Sequence, residues 1–212
     1  MALSEWFLLA MVCLAGGASP GPSFILLINS VIKDGSRAGV AFGIAHGFGI
    51  FIYATLVVSG LMIFLSAAPW FSIAFEFMGL LFLLWLSISM IKSSFQKAQI
   101  EQSGSEAHSA PLMNHFRNGF LIVFLNPKIA AFFLAVFSQF LDAASSLESK
   151  LIMVITATVI DGFWYIMLAF IIAVPKFTKF VKTSAVNIEF FLGISLLVVS
   201  FVLATKIIIA VF

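Results

Sequence analysis

Long apolar stretches separated by short polar ones run the length of this 212-residue chain, a pattern that predicts six membrane-length helices. They cover about residues 4–32, 38–65, 70–91, 118–141, 151–174 and 186–211, each exceeding the roughly 20 apolar residues a bilayer crossing needs. Two of the six are interrupted. Pro20-Gly21-Pro22 breaks the first, and Asn126-Pro127-Lys128 breaks the fourth. In a bilayer a broken helix survives only where it is buried in protein or lines a cavity, because its freed backbone groups need partners. Matched breaks in two halves of an apolar chain are the sequence signature of a transporter's binding site.

The third interhelical stretch, residues 93–115, is polar and has little to bury. It divides the chain into segment 1–92, a linker 93–116 and segment 117–212. Three spans in each half force the halves into opposite orientations, so the expected fold is all-α integral membrane, six helices in two inverted three-helix repeats. The halves also match weakly in sequence. His46-Gly47-Phe48 with Ala54 aligns with Asp161-Gly162-Phe163 with Ala169, and Glu76-Phe77 aligns with Glu189-Phe190. Lys33, Arg37, Lys92, Lys97, Arg117, Lys176, Lys179 and Lys182 all fall on one side of the predicted membrane, and Lys150 and Lys206 on the other. The positive-inside rule then puts the linker in the cytoplasm and both termini outside it. The run Trp6 to Ala15, followed by Gly16-Gly17-Ala18, resembles a signal peptide. It lacks the basic start such peptides carry and has Glu5 instead, so it reads as the first half of a membrane helix.

Composition narrows the function. The chain is 62% hydrophobic and 9% charged, against about 25% charged residues in soluble domains. A net charge of +2 without a basic stripe argues against nucleic-acid binding. The single cysteine, Cys13, allows no disulfide framework and reads as core packing. His108 and His115 fall in or beside the polar linker without cysteine or acidic companions at metal spacing, so no metal site is expected. No P-loop is present and no cofactor is implied.

Pro20-Gly21-Pro22-Ser23-Phe24 and the following Arg37-Ala38-Gly39 region resemble the opening of the LysE/RhtB superfamily of amino-acid exporters. Gly119-Phe120, Leu125-Asn126-Pro127-Lys128, Phe132-Phe133 and Ser138-Gln139-Phe140 resemble its second hallmark. Ser138 stands where that family often has proline, and Glu76 where it often has a basic residue. The resemblance covers nearly the whole chain. It implies a six-span secondary transporter of the bacterial inner membrane that exports amino acids or close analogues.

The breaks suit such a substrate chemically. Pro22 and Pro127 fit the first turn of a new helix, where a missing N–H costs nothing. Each new half-helix then aims its N-terminus at mid-membrane, where it favours a carboxylate. This makes Pro20, Gly21, Pro22, Ser23 and Pro127 substrate-site candidates, beside the reading that the prolines merely kink their helices. Lys128, a cation within a span, must be paired or face a cavity, since exposure to lipid costs at least ~2.5 kcal/mol; the alternative is snorkelling to an interface. Asp161, mid-way along the fifth span, suits a proton carrier or an ammonium ligand, or else a static ion pair with Lys128. His46 is a second proton-coupling candidate because imidazole titrates near neutrality, against a reading as hydrogen-bonded filler. Asn29 and Asn126 either coordinate substrate or satisfy freed backbone groups, and Glu76 and Glu189 read as interfacial. Gly17-Ala18-Ser19-Pro20-Gly21 satisfies G-x-S-x-G, so an intramembrane serine protease using Ser19 and His46 is one alternative. A nucleophile elbow needs a strand-to-helix turn, however, which an all-helical chain lacks. A passive small-solute channel is another alternative. The expectation is amino-acid export driven by inward proton flow, with the lipid bilayer as surroundings; a homo-oligomer is compatible with the same pattern.

Overall fold

The computed structural model describes residues 1–19, 21–67, 69–95, 110–141 and 144–211. The described residues form seven helices: α1 (Leu3–Ala18), α2 (Pro22–Ala67), α3 (Pro69–Phe95), α4 (Leu112–Leu125), α5 (Pro127–Ser138), α6 (Leu147–Ala173) and α7 (Pro175–Val211). The described residues contain no strand.

Local sequence accounts for the helix ends. Ser19 is extended (φ −65°, ψ 124°) and its N–H reaches back to the Gly16 carbonyl, so α1 stops there, and Pro22 opens α2. Asn126 is also extended (φ −95°, ψ 103°), as the residue before a proline tends to be. Its side chain accepts the Lys128 backbone N–H at 3.1 Å, capping α5, while Pro127 occupies the first turn. The chain bends by 60° between α4 and α5. Val174 ends α6 ahead of Pro175, and Ser146 caps its start by accepting the Ser149 N–H at 3.2 Å.

The candidate membrane span within α2, Pro22–Ile63, has 42 residues, about 60 Å at helical rise, twice the thickness of a hydrocarbon core. It is divided at Gly35, whose backbone (φ 80°, ψ −176°) is one that only glycine adopts readily. The expected second half of span one and the whole of span two are thus joined end to end through Gly35. Among the described residues, two helices are long and apolar enough to cross a membrane, Pro22–Ile63 and Leu147–Ala173, and a third is reached if the bent α4–α5 pair is one span. α1 and Phe190–Thr205 are shorter apolar helices. This is a multi-pass helical membrane protein. Its outward faces agree: Phe48, Leu56, Ile63, Leu81, Trp85, Ile155, Val159, Phe163 and Phe201 are exposed large apolar residues, a surface matched to lipid rather than water.

Small residues set the central crossing. A Cβ built on Gly39 would strike Ala169, one on Gly43 would strike Ile166, and one on Gly47 would lie 3.0 Å from the Gly162 Cα. This stripe at four-residue spacing lets α2 and α6 approach backbone to backbone. Gly119 does the same for α4, where a Cβ would meet the Phe42 carbonyl of α2. Trp6 Nε1–H donates to Thr156 Oγ1 at 2.9 Å, tying α1 to α6.

Two buried apolar clusters result. One gathers Leu9, Val12 and Cys13 of α1, Ile50, Ala54 and Val58 of α2, Phe132, Phe133 and Phe137 of α5, and Met153 to Ala157 of α6, together with α3 and α7. The other gathers Phe24 to Val31 and Phe42 of α2 with Tyr165 to Ile172 of α6. Along α2 the second cluster ends at Phe42 and the first begins at Ile50; along α6 the first ends at Ala157 and the second begins at Tyr165. His46 and Asp161 occupy the two gaps.

Candidate functional site

The two helix breaks meet at one small cavity between these clusters. It is lined by Gly16, Gly17 and Ser19 at the end of α1, Gly21 and Ser23 at the start of α2, and Asn126 and Lys128 at the start of α5. Cys13, His46, Ile50, Ile129, Phe132, Phe133, Ala157, Asp161 and Tyr165 complete the wall. Its volume is about 40 Å³, enough for on the order of three waters. The Lys128 ammonium donates to Ser19 Oγ, so the cation of one break spans the space to the other.

Across the cavity, His46 Nδ1 and Asp161 Oδ2 lie 2.6 Å apart. Both side chains are deeply buried, at 1% and 10% exposure. The His46 ring stacks on Tyr165 with centroids 4.2 Å apart, which fixes its plane. A Cβ on Gly17 would come within 3.2 Å of Asp161 Oδ1, so α1 passes close over the carboxylate. Two buried polar atoms here have no hydrogen-bond partner, His46 Nε2 and Ser23 Oγ. Ser23 Oγ lies in reach of the Tyr165 hydroxyl but without ordinary hydrogen-bond geometry.

Of the sequence-predicted residues, Gly21, Ser23, His46, Asn126, Lys128 and Asp161 are brought together here. Pro22 is exposed and Asn29 half-buried, and neither is in the wall. Pro20 lies outside the described residues, as does His108, and of Pro127 only its backbone place at the head of α5 is described. Asp161 takes His46 as its partner, not Lys128, because α2 and α6 touch at this level while Lys128 reaches α1. His115 is not in a polar loop. It is buried on α4 with Nε2 2.8 Å from Asp34 Oδ2, since α4 begins at Leu112 and packs beside the Gly35 kink. Glu76 is half-buried on α3, its carbonyl accepting Gln139 Nε2–H at 2.6 Å; the Glu189 side chain is outside the described set.

Sequence reading missed Ser19 as a partner of Lys128, and Tyr165; Cys13, read as core packing, does lie in the buried core and also borders the cavity. Helical spacing carried the signal: Ala157, Asp161 and Tyr165 recur every four residues on one face of α6, and Cys13 precedes Gly16 and Gly17 by one turn.

Chemically, the cavity offers a cation with a hydroxyl, a carboxylate-held imidazole, two helix N-termini and an apolar wall. Ser19, His46 and Asp161 share it, yet no Ser–His–Asp relay is formed. Ser19 Oγ is bonded to Lys128 and His46 Nε2 has no partner among the described residues, so the Ser19–His46 bond that such a relay requires is not made. Among the described residues no group of side chains could hold a metal ion.

Comparison with known proteins places the chain in a family. The family described as LysE type translocator matches residues 14–207. The threonine efflux protein of Salmonella typhi is 23% identical over 191 residues, covering 90% of this chain and 93% of that one. The threonine efflux protein of Escherichia coli (strain K12) is 22% identical over 184 residues, 87% and 89% of the two chains. The leucine efflux protein of Enterobacter sp. (strain 638) is 25% identical over 167 residues, 77% and 76%. No solved structure matches the chain. With nearly its whole length matched and both helix breaks inside the match, the chain belongs to the LysE type translocator family, whose members move solutes across membranes and are not enzymes.

Proposed function

We propose that this protein is a secondary exporter of amino acids or close analogues across the bacterial inner membrane, coupled to inward proton movement. The observation that carries the reading is the meeting of both helix breaks, Lys128 and the His46–Asp161 pair at one buried cavity. The N-termini of α2 and α5 together with Lys128 and Ser19 suit the substrate carboxylate. Asp161 and His46, within the same space, suit the ammonium group and the proton. Gly21, Ser23 and Asn126 complete the binding site. The threonine and leucine efflux relatives support amino acids as the substrate class. Since the cavity holds only about 40 Å³, its walls must part to admit an amino acid, and the apolar clusters on either side are what alternately open.

The same reading makes the fold six spans in two inverted repeats, residues 1–92 and 117–212, with both termini outside and the linker inside. It is supported by which residues touch. His46-Gly47 and Asp161-Gly162 align between the halves in sequence. In the structure His46 meets Asp161, and Gly47 meets Gly162. Equivalent residues meet each other where a two-fold axis runs between two repeats. α1 packing on α6 and α4 packing on α2 are likewise exchanged by such an axis.

The decisive test is counterflow in proteoliposomes preloaded with each of the twenty amino acids in turn, with and without an imposed pH gradient. At least one amino acid is expected to exchange, and to accumulate when the gradient is applied. Exchange of none refutes the reading, and flux that neither saturates nor responds to the gradient favours a channel instead.

A further inference from the structure

We infer that His46 Nε2 is the atom for which the substrate's α-ammonium group and the coupling proton compete, and that Asp161 is the positioning residue that makes it so. The inference rests on the export reading above and deepens it.

Hydrogen-bond arithmetic leads there. An ionised carboxylate can only accept, so Asp161 Oδ2, 2.6 Å from Nδ1, keeps the proton of a neutral imidazole on Nδ1. Nε2 is then a bare lone pair. It is buried, has no partner among the described residues, and belongs to a residue that is 1% exposed and lines the cavity. A buried acceptor left this way is unusual, and at a ligand site it marks where a donor docks. Ser23, 3% exposed, lines the same space with its hydroxyl beside Tyr165.

The other titratable groups around the cavity leave this role to His46. On α6 they are Asp161 and Tyr165, the first engaged by Nδ1 and the second stacked on the ring. Cys13 faces from α1, and Lys128 from α5 with its ammonium on Ser19. α4 brings only Asn126 at its end, committed to capping α5. The cavity thus presents one cation with a hydroxyl and, in His46 Nε2, an acceptor without a partner among the described residues, the polarity that a zwitterion needs.

One lone pair holds one occupant. With a proton on Nε2 the ring carries N–H donors on both nitrogens and a positive charge, which repels an ammonium group. With an ammonium N–H donated to Nε2, the proton has no place there. Substrate and proton therefore exclude one another at a single atom, which is the requirement for antiport rather than co-transport.

The test uses purified full-length protein in detergent, with L-threonine and L-leucine as probes. In the wild type, binding in weakly buffered solution with a pH indicator should release about one proton per amino acid at acidic pH and none at alkaline pH. Apparent affinity should fall about tenfold per pH unit on the acidic side. His46→Gln keeps a neutral acceptor that does not titrate, so it should bind with pH-independent affinity and release no proton. Asp161→Asn can turn its amide N–H toward Nδ1 and invert the tautomer, as loss of the orienting carboxylate does in hydrolase triads. It should lose binding at every pH, whereas a merely structural aspartate would leave the acid slope in place at reduced protein stability. The double variant His108→Gln/His115→Gln should keep the wild-type slope. Retention of that slope by His46→Gln overturns the inference while leaving the export reading intact. So does wild-type binding without proton release, a measurement that decides the matter even where a variant fails to fold. If none of the twenty amino acids exchanges in the counterflow experiment, the export reading fails and this inference with it.

Discussion

Gly47 links the fold to the site by one peptide bond, and replacing it with alanine tests both. A Cβ there would lie 3.0 Å from the Gly162 Cα and 3.7 Å from the Thr158 carbonyl oxygen. The obstacle is backbone, which cannot swing aside as a side chain does. Relieving it to the ~3.5 Å of ordinary carbon contact separates α2 from α6 by about half an ångström. Overpacking of this kind costs about 1–3 kcal/mol. The neighbouring His46–Asp161 contact, 2.6 Å in the native chain, lengthens with it to about 3.1 Å, toward the weak end of the hydrogen-bond range. Gly47→Ala should therefore lower thermal stability in detergent by that amount and also reduce gradient-driven transport. Two comparisons sharpen the expectation. A Cβ on Gly162 sits at an ordinary 3.5 Å from the Gly47 Cα, and one on Gly60 meets nothing within 4 Å. Gly162→Ala should be milder than Gly47→Ala, and Gly60→Ala neutral or stabilising by up to ~1 kcal/mol from helix propensity alone. The measurement is the unfolding transition of all three variants in one detergent, followed by counterflow. If Gly47→Ala matches Gly60→Ala in both, the close α2–α6 approach does not hold the His46–Asp161 pair.

Lys128→Ala should still insert and fold but lose amino-acid binding, and Lys128→Arg should recover little, because a planar guanidinium does not replace a compact ammonium; full export by the alanine variant removes Lys128 from the site. Asn126→Ala removes the α5 cap and should cost about 1 kcal/mol in thermal stability, whereas Asn29→Ala, outside the cavity wall, should leave binding unchanged. A cysteine replacing Ser103 in a Cys13→Ala background should resist an impermeant maleimide in intact cells, and ready labelling from outside would reverse the proposed orientation.

The sequence by itself determined everything that depends on neighbours along the chain. Apolar runs located the apolar parts of the helices, though not the continuation of α2 through residues 33–37 or of α7 through 175–185, and the prolines located both breaks, because a proline that cannot continue the preceding helix can still begin the next. Asn126 was legible as either a substrate ligand or a partner for freed backbone groups, and Lys128 and Asp161 stood out because an ionisable group in an apolar span demands an explanation. What sequence left open was pairing. Whether Asp161 meets Lys128 or His46 turns on how α2 and α6 are rotated and how closely they cross. That is decided by the Gly39, Gly43 and Gly47 stripe acting against residues more than a hundred positions away. His115 shows the same limit: read along the chain it borders a polar linker, and only the folding of α4 against the Gly35 kink buries it on Asp34. Tyr165, Ser19 and Cys13 became site residues by facing a cavity whose walls come from four helices. Chain-local chemistry sets where helices start and stop; the tertiary structure alone sets which of their faces meet, because that is fixed by packing between surfaces that are distant in sequence.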